Sequence, residues 1–146
     1  MQKHFRVLIG SCVAIISALL VVGAVSHGII RHVVQTSPLW IVIVLGIRRS
    51  PLTKWAILPC SSFWLLVMTA IWLDLLGWVG IVSGTFSPTE IAMPMVVGFA
   101  SMAAIVSALG MRSVVRAWLG IGTTLLLLIL QLSAFRLSFL PHIAHC

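Results

Sequence analysis

Residues 55–82 read WAILPCSSFWLLVMTAIWLDLLGWVGIV and carry one charge, Asp74. About 20 apolar residues suffice to cross the hydrocarbon core of a bilayer, so this stretch alone points to a membrane-embedded fold. If the cost of Asp74 is met, 55–82 forms one helix, longer than the minimum and able to tilt. Working outward from it, charges are so sparse that they mark the spans. Uncharged stretches run 7–30, 32–47, 55–73, 75–89, 91–111 and 117–135. The 146 residues are 61% apolar and 8% charged, against about 45–50% and about 25% in ordinary soluble domains. A mean hydropathy of +1.22 leaves no polar exterior for a soluble globule. A nucleic-acid partner is excluded on the same ground, despite a net charge of +7.

The expected fold is all-α: a single membrane-embedded domain over 1–146, with helices near 7–30, 37–47, 55–82, 91–111 and 117–137. The segment 37–47 covers only about 16 Å at a rise of 1.5 Å per residue. It either starts nearer Val33 and spans, giving five helices, or is re-entrant, giving four. Ser37-Pro38, Ser50-Pro51 and Ser87-Pro88 each precede an apolar run. Serine suits the N-cap and proline the first helical position. Ser87-Pro88-Thr89-Glu90 has the spacing of a capping box, in which Glu90 reaches back to the cap N–H.

The start of the chain imitates a secretory signal, but 24 uncharged residues separate Arg6 from Arg31. That is a full span, and an uncleaved first helix is expected. Basic residues near span ends favour the cytoplasm. With five spans, Lys3, Arg6, Arg48, Arg49, Lys54, Arg112 and Arg116 share the cytoplasmic side, which includes the loops 48–54 and 112–116, and Arg31 and Arg136 lie opposite. A positive-inside bilayer such as the bacterial cytoplasmic (inner) membrane fits this pattern. Trp55, Trp78 and Trp118 fall where indoles anchor at interfaces; Trp64 and Trp72 lie deeper, as packing or lipid-facing bulk.

Close helix approach in a membrane needs small residues. Gly10, Ala14 and Ala18 form one seam, Ala100, Ala104 and Ala108 a second, and Gly80 and Gly84 a third, with one seam expected to face a partner protein or a second copy. Asp74 is the acid inside a span. It serves either as half of a structural pair with Arg31 or Arg136, or as a proton- or cation-binding group of a small transporter. Ala70 and Gly77 flank it and admit a neighbouring helix.

His27, His32, His142 and His145 collect on the non-cytoplasmic side, and His142 and His145, three apart, are the weak candidates for a metal or haem site. No cofactor is otherwise expected. Cys12, Cys60 and Cys146 form no metal or disulfide pattern. No catalytic motif occurs, and the hydroxyls in apolar segments lack a nearby base, so an enzyme is the least favoured class. Two functions remain: an accessory, assembly or structural subunit acting through helix–helix contacts, and a small oligomeric transporter or proton-linked permease using Asp74. Membrane lipids, and another membrane protein or a second copy, are the expected partners.

Overall fold

A computed structural model describes residues 2–78, 80, 87–112, 114–140 and 143. Five helices account for most of them: α1 Gln2–Val25, α2 Ile29–Ile47, α3 Thr53–Leu75, α4 Pro88–Leu109 and α5 Ala117–Leu137. The shortest has 19 residues and the longest 24, or about 28–36 Å at 1.5 Å per residue. All five are long and apolar enough to cross a membrane. The second helix is therefore a full-length one and not a re-entrant piece.

The helix ends differ from the sequence reading for local reasons. At the end of α3, Gly77 adopts φ +76. Its N–H donates to the Asp74 carbonyl at 2.9 Å and that of Trp78 to the Leu73 carbonyl at 3.0 Å, the paired closure of a Schellman motif. This stops the helix at Leu75, not 82, although the apolar run continues. A left-handed residue also ends α1, at Val25 and not 30: His27 has φ 56, and the Gly28 N–H donates to the Gly23 carbonyl at 2.8 Å. The chain then turns so tightly into α2 that a Cβ on Gly23 would lie 2.8 Å from the His32 ring.

Only one Ser-Pro pair starts a helix as expected. Ser87 is the N-cap of α4; its hydroxyl accepts from the Glu90 N–H at 3.3 Å, and its own N–H donates to Glu90 Oε2 at 2.9 Å. Pro38 instead lies inside α2 and Pro51 two residues before α3. An interior proline leaves the carbonyl four residues earlier without its N–H donor. In α2 the Ser37 hydroxyl donates to that carbonyl, Val34, at 2.8 Å. In α3, Pro59 frees the Trp55 carbonyl, and Thr124 of α5 donates to it at 3.1 Å.

Neighbouring helices close a ring in the order α1, α2, α5, α3, α4, with α2 touching α3 across it. Leu8, Cys12, Ile15, Leu39, Val42, Ile57, Trp64, Val97 and Ala104 form its core, whereas Leu66, Phe99, Val106, Leu126 and Ile129 are exposed. That inside-out pattern suits a lipid surround. Antiparallel neighbours bring Lys3, Arg6, Arg48, Arg49, Lys54, Arg112 and Arg116 to one end of the bundle. There Lys54 Nζ donates to the Met111 carbonyl at 2.7 Å, just beyond the end of α4, where a cation also meets the negative pole of the helix dipole. Arg31, Asp74, Glu90 and Arg136 occupy the opposite end.

The packing seams are redrawn. Ala100, Ala104 and Ala108 are buried inside the chain, where α4 meets α1 and α3, so this seam does not face outward. Of the α1 set, Ala18 is buried and Ala14 half-buried, but Gly10 is exposed with no atom within 4 Å of a built Cβ. The buried face of α1 runs through Leu8, Cys12 and Ile15 instead, a face rotated away from Gly10. Gly80 lies past the end of α3, exposed, with no neighbour; Gly84 lies outside the described residues.

Candidate functional site

At the end of the bundle away from the basic cluster, each helix turns one stripe toward a shared cavity of about 650 Å³. From α3 the stripe is Trp64, Val67, Met68, Ala70, Ile71 and Asp74, at helical spacing. From α4 it is Glu90, Met93, Pro94 and Val97, and from α2 it is Arg31, His32 and Gln35. Leu19 and Val22 of α1, Phe135 of α5 and Phe139 just beyond its end line the walls as well. The protein's two carboxylates thus line one cavity with a guanidinium and a buried imidazole. A mostly apolar pocket with a few converging polar groups is the usual form of a small-molecule site.

The polar groups are held from behind. Gln35 Nε2 donates to Ser138 Oγ at 2.9 Å, Ser138 Oγ to the Phe135 carbonyl at 2.6 Å, and Gln131 Nε2 to the Gln35 carbonyl at 3.1 Å. This buried network locks the start of α2 to the end of α5. Edge-to-face rings run from Trp64 through Phe63 and Phe135 to Phe139. The Arg31 guanidinium lies 4.6 Å from the centre of the Phe139 ring, a cation–π contact that fixes the long side chain. The small side chain of Ala70, one turn before Asp74, leaves room inside the cavity. Glu90 is both the cap of α4 and part of the wall.

Among the described residues, three buried nitrogens of the lining have no hydrogen-bond partner: Trp64 Nε1, His32 Nδ1 and Arg31 Nε. Trp64 is 1% exposed and His32 8%. An orphaned buried donor costs about 1–3 kcal/mol; Ser61, Ser101 and Gln131, outside the lining, each carry one unpartnered buried oxygen as well.

Among the sequence candidates, Asp74 and Arg31 are brought to the same cavity. Arg136 is exposed in the last turn of α5 and lines no part of it. His27 is exposed at the α1–α2 turn and does not converge with His32. His142, His145 and Cys146 lie outside the described residues; among the described ones no group of three potential metal ligands occurs. The sequence reading places His32 at this end but does not single out Gln35 or Trp64, nor the cavity role of Glu90. Gln35 and His32 are polar residues one turn apart in an apolar stretch, and that was the available signal. No family model, curated protein or solved structure matches this chain.

Proposed function

We propose that this chain is a membrane-spanning binding protein that takes a small amphipathic molecule into the cavity around Asp74, as part of a carrier or permease. The observation behind this reading is the convergence of Asp74, Glu90, Arg31 and His32 on one apolar-walled cavity. The aromatic walls offer apolar surface, Asp74 offers an acceptor for a proton, cation or hydroxyl, and Arg31 offers the opposite charge. The α4 seam, one of the surfaces a helix-docking subunit would offer to a partner, is occupied inside the chain. By the positive-inside tendency the seven-residue basic end lies in the cytoplasm, so the cavity serves the opposite leaflet of a membrane such as the bacterial inner one.

Thiol labelling tests this reading. Cys12 and Cys60 are buried, so a Cys146→Ser background is silent toward a small water-soluble maleimide. In micelles stripped of lipid, Asp74→Cys is expected to label rapidly and Ala104→Cys, in the core, to stay protected. Equal protection of both positions would remove the cavity and the function with it.

A further inference from the structure

We propose that the basic end of the bundle is a binding surface for anionic phospholipid headgroups, with Arg48 and Arg49 on the α2–α3 turn and Arg112 and Arg116 between α4 and α5 as its main contacts. Two side-chain carboxylates are present, Asp74 and Glu90. Both lie at the opposite end, Asp74 on the cavity wall and Glu90 in the cap of α4. The seven cations therefore have no side-chain acid at their own end. Among the described residues, Lys54 alone of the seven finds a hydrogen-bond acceptor, the Met111 carbonyl. Arg48, Arg49, Arg112 and Arg116 are exposed. Charge balance here comes from outside the chain.

Contacts within the protein hold these groups at one rim. The Lys54 bond ties the start of α3 to the residue before Arg112. His4 Nδ1 and Ser107 Oγ lie 3.2 Å apart, which brings the start of α1, with Lys3 and Arg6, beside the end of α4. The backbone at Arg49 is a second, independent observation. The Ser50 N–H donates to the Leu45 carbonyl at 2.9 Å and the Arg49 N–H to the Gly46 carbonyl at 3.0 Å, with Arg49 at φ 51. This is a Schellman closure, whose left-handed position glycine fills at least cost. An arginine held there at the expense of stability, its side chain exposed and unpaired within the described residues, points to a contact outside the chain. Trp118, 66% exposed and two residues beyond Arg116, sets an indole at the same rim, the level of a bilayer's headgroups. A phosphodiester head at that level offers both the negative charge and the paired oxygens that a guanidinium fork matches. The lipid of the facing leaflet is thus the partner.

Native mass spectrometry of the lipid-stripped protein, titrated with dioleoyl-phosphatidylglycerol and with dioleoyl-phosphatidylcholine, supplies the test. The tails are identical, so any difference reports the head. Phosphatidylglycerol is expected to bind more than about tenfold tighter, and added salt to narrow the gap. A basic residue near an anionic surface contributes about fivefold. Arg49→Gln and Arg116→Gln are each expected to weaken phosphatidylglycerol by about that factor, whereas Arg136→Gln, at the opposite end, leaves it unchanged. Circular dichroism checks that all three fold. Arg49→Gly is the sharper variant: it is expected to bind phosphatidylglycerol as weakly as Arg49→Gln while unfolding at a higher temperature than the parent in a neutral maltoside. Equal binding of the two lipids, an Arg136→Gln loss as large as that of Arg49→Gln, or an Arg49→Gly variant that binds as the parent does overturns the proposal. Displacement of phosphatidylglycerol by excess inorganic phosphate overturns it in favour of a soluble anion, and polyglutamate binding tighter than phosphatidylglycerol overturns it in favour of an acidic protein.

Discussion

Gly120 of α5 faces the indole of Trp55 so closely that a methyl on it would lie 2.6 Å from the ring carbon Cδ2 and 2.9 Å from Cζ2. Carbons in good contact stand about 3.5–4.0 Å apart, so Gly120→Ala obliges the ring to retreat by about 1 Å. Trp55 is not free to follow, because its carbonyl is held by Thr124 on the same α5. Alanine in place of a helical glycine gains about 0.5–1 kcal/mol, and an overpacked methyl costs about 1–3 kcal/mol. The expected net is a loss of up to about 2.5 kcal/mol. Gly98 and Gly122 supply the contrast: a Cβ at either meets nothing within 4 Å, so their alanine variants are expected to gain about 0.5–1 kcal/mol. Unfolding in mixed micelles of increasing dodecyl sulfate content, followed by circular dichroism, measures all three. Removing the ring with Trp55→Leu should abolish the penalty, giving a coupling of at least about 1 kcal/mol in a double-mutant cycle. A Gly120→Ala variant as stable as Gly98→Ala, or a penalty that persists without the ring, would refute the close packing of α3 on α5.

The same unfolding assay checks the remaining expectations. Thr124→Val strips the donor from the Trp55 carbonyl that Pro59 leaves open, at a cost of about 1–2 kcal/mol. In a Pro59→Ala background the restored N–H should shrink that cost. Lys54→Met removes the charged donor to the Met111 carbonyl and should cost about 2 kcal/mol, while Lys54→Arg keeps most of the interaction. His27→Gly relieves a left-handed backbone and should gain about 0.5–1 kcal/mol, and Gly77→Ala imposes one and should lose about 1–2 kcal/mol.

Spans were legible because charge is scarce: Arg6, Arg31, Arg48, Lys54 and Arg112 bracket apolar runs that only lipid accommodates. The start of α4 was legible too, since Ser87 and Glu90 satisfy each other locally. Where α2 begins was not, because the Pro38 penalty is met by the neighbouring Ser37 hydroxyl, a repair invisible in residue spacing. The end of α3 at Leu75 depends on Gly77 taking a positive φ amid residues as apolar as the helix itself. Asp74 and Arg31 stood out by charge. Their meeting with His32, Glu90 and Trp64 depends on how five helices rotate about their axes. In all-round apolar helices no hydrophobic stripe announces that rotation. It is set instead by buried contacts such as Gln35 with Ser138 and the alanine face of α4.

The indole signals of selectively ¹⁵N-tryptophan-labelled protein in nanodiscs test the central claim most directly. Six tryptophans are present, and the Trp64 resonance is identified by its loss in Trp64→Phe. The account predicts that adding a small amphipathic ligand that enters the cavity shifts the Trp64 resonance, because Trp64 lines that cavity, while outward-facing Trp40 and Trp118 stay unmoved. A Trp64 signal that does not respond, or one that moves no more than those of Trp40 and Trp118, would contradict it.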